Sequence, residues 1–152
     1  MKIQFVDRET AKKAIANGEL NNCQFISVSD DQQESDEIRS LYNGATFENS
    51  EAIYSVFQDV EDLRGGFTLE TAGDIVHVIG DAHRHRRDIV VHCFAGISRS
   101  GAIAKFANEY LALEDEYLNN YRGHNLWVFE TLMEAAGVET LRAYYSKQEA
   151  KK

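Results

Sequence analysis

The sequence predicts an α/β domain with a central, mostly parallel sheet of four to five strands flanked by helices. Three observations predict it. Short apolar runs rich in β-branched residues alternate with segments of helical periodicity. One run, Ile89-Val90-Val91, is apolar without a break, as in a strand covered on both faces. The last third of the chain carries helical stripes and no strand signal. A length of 152 residues suits one domain, assigned to residues 1–147, with 148–152 as a flexible tail.

The elements follow in order. Ile3–Val6 opens as a short strand. Residues 9–17 read as a helix, with Ala11, Ala14 and Ile15 on one face and Gly18 just past its C-cap. Residues 23–28 form a strand through Phe25, Ile26 and Val28. Asp30, Asp31, Glu34, Asp36 and Glu37 come next, expected as a solvated acidic loop or helix face. Residues 53–57 are a strand that runs into Gln58-Asp59-Val60-Glu61-Asp62. Gly65-Gly66 is a flexible break, and Thr68 is suited to cap the helix marked by Ala72, Ile75, Val76 and Ile79. His83 to Arg87 ends that helix as a solvated basic linker before the strand Asp88–His92. Ile103, Phe106, Ala107, Tyr110 and Leu111 make the next stripe, and 126–136 and 139–147 are helices separated by Gly137. The aromatics Tyr117, Tyr121, Trp127, Phe129, Tyr144 and Tyr145 are assigned to helix packing.

Composition narrows the function classes. The net charge of -9 argues against a partner that is bulk nucleic acid or anionic membrane. No apolar run nears the roughly 18 residues of a membrane span, and the N-terminus lacks the apolar core of a secretory signal. Two cysteines make no disulfide framework, so a reducing, cytoplasmic setting is expected. Cys23 is expected in the core, with a reversible disulfide to Cys93 as a second reading. His77, His83 and His85 lack the Cys or carboxylate that completes a usual ligand spacing, so no metal is expected. The absence of proline excludes Pro-rich linkers.

Chemistry concentrates in Val91-His92-Cys93-Phe94-Ala95-Gly96-Ile97-Ser98-Arg99-Ser100. A buried strand ends here and a helix begins, so the loop lies at the carboxyl end of a parallel strand, where such sheets bind ligands. Helix N-termini hold unpaired N–H groups and attract anions. The same field stabilises a thiolate. Arg99 adds a planar fork that matches phosphate oxygens, and Gly96 admits a turn closed to other residues.

The pattern His92-Cys93-x-x-Gly96-x-Ser98-Arg99-Ser100 resembles the signature of cysteine-dependent protein tyrosine phosphatases, in the dual-specificity form of the small prokaryotic or viral type. That signature reads His-Cys-x-x-Gly-x-x-Arg-Ser/Thr, and every specified position is filled. The close resemblance spans residues 57–111. It implies the phosphatase version of the α/β fold. It also implies that Cys93 attacks phosphorus, that N–H groups of Phe94, Ala95, Gly96, Ile97, Ser98 and Arg99 bind the oxygens, and that Arg99 clamps them. Ser100 would support the sulfur as leaving group, and His92 would orient the loop. The family's general acid lies on a separate loop upstream. Asp59 matches best, following a strand in Phe57-Gln58-Asp59-Val60; Asp62 is the alternative and Glu61 a third carboxylate nearby.

The resemblance implies a phosphorylated protein or peptide as partner, and no cofactor. Trp-Pro-Asp, the acid loop of receptor-like members, is absent, and the chain is too short for their pocket-deepening loops. A shallow pocket implies phosphotyrosine and leaves phosphoserine and phosphothreonine open. Phe94, Ala95 and Ile97 are apolar, where lysines would have pointed to inositol phosphates. The alternatives are a non-catalytic phospho-ligand binding module, an RNA 5′-end phosphatase and a sulfur-transfer enzyme. Oligomeric state stays open.

Overall fold

The run Ile89-Val90-Val91 lies at the centre of the sheet. In the computed structural model, which describes residues 1–138 with 148 and 149, the elements are β1 (Ile3–Val6), α1 (Arg8–Ala16), β2 (Cys23–Ser29), α2 (Gln32–Asn43), β3 (Glu51–Val56), α3 (Leu69–Arg84), β4 (Asp88–His92), α4 (Arg99–Tyr110), α5 (Glu116–Asn120) and α6 (Leu126–Ala135). The sheet has four strands, all parallel, in the order β1-β4-β2-β3. This is the α/β architecture the alternating pattern predicts. No helix among the described residues is long and apolar enough to cross a membrane.

Alternation along the strands sorts two cores. Phe25 and Val90 point to one face and pack with Ala11 and Ile15 of α1 and Ile38 of α2. Ile26, Val28, Ile89 and Val91 point to the other, against Ile75 and Ile79 of α3, Ile103 and Phe106 of α4 and Leu132 of α6. A period of two along each strand puts successive side chains on opposite faces, which is why the central run is apolar throughout. Parallel pairing also brings the carboxyl ends of β1, β2 and β4 together. Val6 pairs with His92, and Ser27 pairs with His92 on the other side.

The structure departs from the sequence reading in specific places. The acidic stretch after β2 takes the helix-face alternative as α2, which Asp31 caps by accepting the Glu34 N–H, whereas Asp30 departs from it by pairing with Arg99. Gly65-Gly66 is a packed turn rather than a flexible break. Gly65 closes a 3₁₀ turn, Gln58 N–H donates to its carbonyl at 2.7 Å, and a Cβ there would lie 2.7 Å from Val60 Cγ2. Gly66 follows at φ +87, a conformation that favours glycine. The basic segment is not wholly a solvated linker: α3 continues through Arg84, and Arg87 is buried, bonded to Asn49 and Asp81. The helix expected over 139–147, with Tyr144 and Tyr145, lies outside the described residues, as does most of the tail at 148–152.

The two cysteines lie toward opposite ends of the sheet. Cys23 pairs with Asp88, and Cys93 follows five residues further along. At about 3.3 Å per residue that is roughly 17 Å, well beyond the ~7 Å that a disulfide spans between Cα atoms. Cys23 is a core thiol, pushed up to about 11 by burial and by the nearby Asp88 carboxylate.

Ile103 is fully buried between the sheet and the helices of the larger core. Ile103→Ala is expected to cost about 2–5 kcal/mol, read as a lower urea midpoint at an unchanged slope.

Candidate active site

The loop 93–98 joins the end of β4 to the start of α4, beside the carboxyl ends of β1 and β2. Gly96 lets it bend. At φ +69 its backbone packs onto the β1–α1 junction, where a Cβ would meet Asp7 N and come within 2.6 Å of the Val6 carbonyl carbon. Arg8 N–H donates to the Phe94 carbonyl at 3.2 Å and fastens the same contact. The cap position of α4 is Ser98, whose side chain makes no cap bond. Its hydroxyl turns away to donate to Asp59 Oδ1 at 2.8 Å, so Ser98 itself takes up none of the first N–H groups of α4.

Cys93 is 2% exposed at the base of this loop. Burial pushes its thiol up, but hydrogen bonds from the Ser100 hydroxyl and from the N–H groups of Ser100, Ile97 and Gly96 outweigh burial and leave it below the ordinary thiol value. The Ser100 Oγ lies 3.1 Å from the sulfur. With the thiolate present, the hydroxyl is the donor.

His92 is fully buried beneath the loop, its ring stacked on Phe25 at 5.5 Å. Nδ1 lies 3.3 Å from the Cys93 carbonyl, which only accepts, so Nδ1 carries the hydrogen and Nε2 accepts from Ser27 Oγ at 2.6 Å. Burial lowers its pKa to about 4, helped by the Arg8 and Arg99 charges, so the ring is neutral at pH 7. A neutral donor on Nδ1 fits a loop-orienting role better than proton transfer.

Arg99 is 4% exposed and doubly anchored. One terminal nitrogen, Nη1, donates to the Phe57 carbonyl at 2.7 Å and meets Asp30 Oδ1 at 2.7 Å. Asp30 in turn is steadied by Gln58, whose amide donates to its carbonyl. Together Asp30, Gln58, Asp59, Val60, Cys93, Phe94, Ala95, Ile97, Ser98 and Arg99 line one open cleft of about 500 Å³.

The upstream carboxylates separate clearly. Asp59 lines the cleft and accepts from Ser98 Oγ and from Asn125 Nδ2, both at 2.8 Å. Asp62 caps the 3₁₀ turn and pairs with Arg64 at 2.7 Å, which holds its carboxyl below the usual range. It is not among the residues lining the cleft. Glu61 accepts the Trp127 N–H at the start of α6. Among the described residues, no group of three or more His, Cys, Asp or Glu is arranged to hold a metal.

Sequence reasoning missed three side chains at this site. Asp30 sits at the carboxyl end of β2, beside the end of β4; strand ends converging in a parallel sheet were the available signal. Asn125, just before the helix over 126–136, carried no signal of its own in the sequence; the structure shows it as the cap of α6. Tyr121, assigned to helix packing, donates from its hydroxyl to the Ile97 carbonyl at 2.7 Å, with its ring against Gly101.

No protein family and no curated protein matches the chain by sequence. Solved structures do match. PTPMT1 aligns at a TM-score of 0.56 and 14% identity, over 99% of this chain and 96% of that one. OH1 from the Orf virus, described as a tyrosine phosphatase with triple substrate specificity, gives 0.53 at 14%, over 88% and 81%. Human DUSP28 gives 0.50 at 16%, over 97% and 89%. The fold is therefore the one found in cysteine-based dual-specificity and tyrosine phosphatases, as the motif resemblance implied.

Two outcomes check the geometry of the loop. Alkylation of Cys93 by iodoacetate should follow an apparent pKa below that of a free thiol, rise toward it in Ser100→Ala, and leave Cys23 unreacted until the protein unfolds. Gly96→Ala should displace the loop and lose more than about 2 kcal/mol of stability, whereas Gly18→Ala, where a Cβ meets open space at φ +70, should lose about 1 kcal/mol.

Proposed function

We propose that this chain is a phosphomonoester hydrolase that removes phosphate from phosphotyrosine in proteins or peptides through a cysteinyl-phosphate intermediate on Cys93. The observation that carries the reading is a single cleft lined by a buried low-pKa thiol, an anchored arginine and a carboxylate. Fold alone would not carry it, because folds host unrelated chemistries.

The steps follow from these side chains. The Cys93 thiolate attacks phosphorus, forming the S–P bond as the P–O bond to the leaving group breaks. The N–H groups of the loop and Arg99 stabilise the charge spread over the phosphoryl oxygens. Asp59, protonated at this stage, gives its proton to the leaving oxygen. As a carboxylate it then takes a proton from water, which attacks phosphorus and breaks the S–P bond. Ser100 donates to the departing thiolate. No metal or organic cofactor enters the scheme.

Substrate class follows from the rim. Phe94 is 59% exposed and Ile97 55%, and both line the cleft with Val60. An apolar rim suits an aryl ester. The cleft is open, which leaves room for phosphoserine and phosphothreonine as slower substrates. Arg99 is the only cation among the described lining residues and already pairs with Asp30, so a second phosphate finds no partner. PTPMT1 has been crystallised in complex with PI(5)P; the lining here favours a monophosphate. The reading assigns a cytoplasmic setting, where thiols stay reduced.

The test is turnover of an aryl phosphate. Cys93→Ser should abolish it, Arg99→Ala should lower it by about 10²–10³-fold, and Asp59→Asn by about 10²–10⁴-fold on phenyl phosphate. Asp62→Asn should leave it within about twofold, since only surface contacts change. Full activity in purified Cys93→Ser would refute the mechanism, and loss confined to Asp62→Asn would move the acid.

A further inference from the structure

We propose that Asn125 is a positioning residue for the general acid, and that it sets which oxygen of Asp59 carries the transferable proton. The inference rests on the phosphatase reading and goes beyond it. Asn125 is 1% exposed and precedes α6. Its Oδ1 accepts the Val128 N–H at 3.0 Å, capping that helix. Its Nδ2 donates to Asp59 Oδ1 at 2.8 Å and to the Val60 carbonyl at 3.1 Å. Its backbone N–H donates to the Ser98 carbonyl at 2.9 Å. One residue thus ties together the loop after β3, the anion loop and α6.

The amide orientation is fixed by its neighbours. Two pure acceptors, Asp59 Oδ1 and the Val60 carbonyl, face one end, and a pure donor faces the other. Both amide hydrogens are therefore used. Ser98 Oγ donates to the same oxygen of Asp59 at 2.8 Å. With two donors on Oδ1, the proton resides on Oδ2, the oxygen left for the leaving group. Without the Asn125 donors the carboxyl keeps one tether, from Ser98, and its proton is no longer confined to one oxygen.

Such a role has a signature that a purely structural one lacks. A general acid matters most for poor leaving groups, so loss of its alignment is selective. The measurement is kcat/KM of the full chain on phenyl phosphate and on 2,4-dinitrophenyl phosphate, because this ratio reports the step that expels the leaving group. Asn125→Ser keeps an oxygen to cap α6 and removes both donors. Asn125→Asp also keeps the cap, with a charge that suits a helix N-terminus, and serves if the serine variant is poorly folded. The expected result is a roughly 10–100-fold loss on phenyl phosphate, part of the 10²–10⁴-fold that a general acid supplies. The activated ester should lose less than about threefold, and the thermal midpoint should stay near that of the parent. In an Asp59→Asn background, either variant should add less than about threefold, since the acid it aligns is gone. Equal losses on both esters, no loss on phenyl phosphate, or a full multiplicative loss in the double variant would overturn the inference and leave the phosphatase reading standing. No turnover of either ester by the parent chain would overturn both.

Discussion

The burial of β4 between two neighbours and under helices on both faces is the constraint on which the rest of the molecule depends. It forces an apolar run with a period of two and draws β1 and β2 to its sides. It also delivers the loop that follows to the point where three strands end. The polar groups that shape the loop are held from below or from the side. His92 bonds to Ser27 of β2, the backbone at Gly96 rests on the end of β1, and Arg99 is anchored by Asp30 past the end of β2 and by the Phe57 carbonyl past β3. A loop with these attachments has little freedom to collapse, and collapse is what would otherwise quench converging N–H groups.

Charge placement follows the same logic. A guanidinium with only 4% of its surface exposed needs a partner, because desolvating a cation alone is costly. Asp30 is that partner, and Asp59 is the second carboxylate lining the cleft; most other acidic side chains lie along α2 and elsewhere on the chain. The total of -9 therefore says little about the cleft. There, the donors are one arginine and the backbone N–H groups of the loop, and the thiol responds to hydrogen bonds more than to net charge.

Legibility from sequence tracked contiguity. Residues 92–100 were readable because strand end, turn glycine, cation and helix start fall within one short segment, each with its own local signal. The strands were readable because burial on two faces leaves a composition trace. Asp59 could be selected from three nearby carboxylates only by its position after a strand, and Asp62 and Glu61 turn out to serve Arg64 and the Trp127 N–H. Asp30, Tyr121 and Asn125 escaped for a different reason. Asp30 and Tyr121 had ordinary local explanations, as part of an acidic run and as an aromatic in a helical region, and Asn125 had no local signal; their roles arise only when distant segments meet. Gly65 misled in the same way: a glycine pair signals a turn, but not whether that turn is loose or packed.

The treatment of helix starts is uneven. Five of the six helices among the described residues begin under a side-chain cap, from Asp7, Asp31, Thr68, Asp115 or Asn125; α4 alone does not. A cap bond from the residue before the helix is worth about 1 kcal/mol; at α4 the Cys93 sulfur accepts the Ser100 N–H instead. Under the proposed phosphatase reading, an oxyanion held at α4 would be an acceptor for the N–H groups that Ser98 leaves, and only in the folded state. Binding and folding are then linked equilibria: every increment of free phosphate above its dissociation constant raises the unfolding free energy. In that reading the ligand would complete the architecture as well as occupy it.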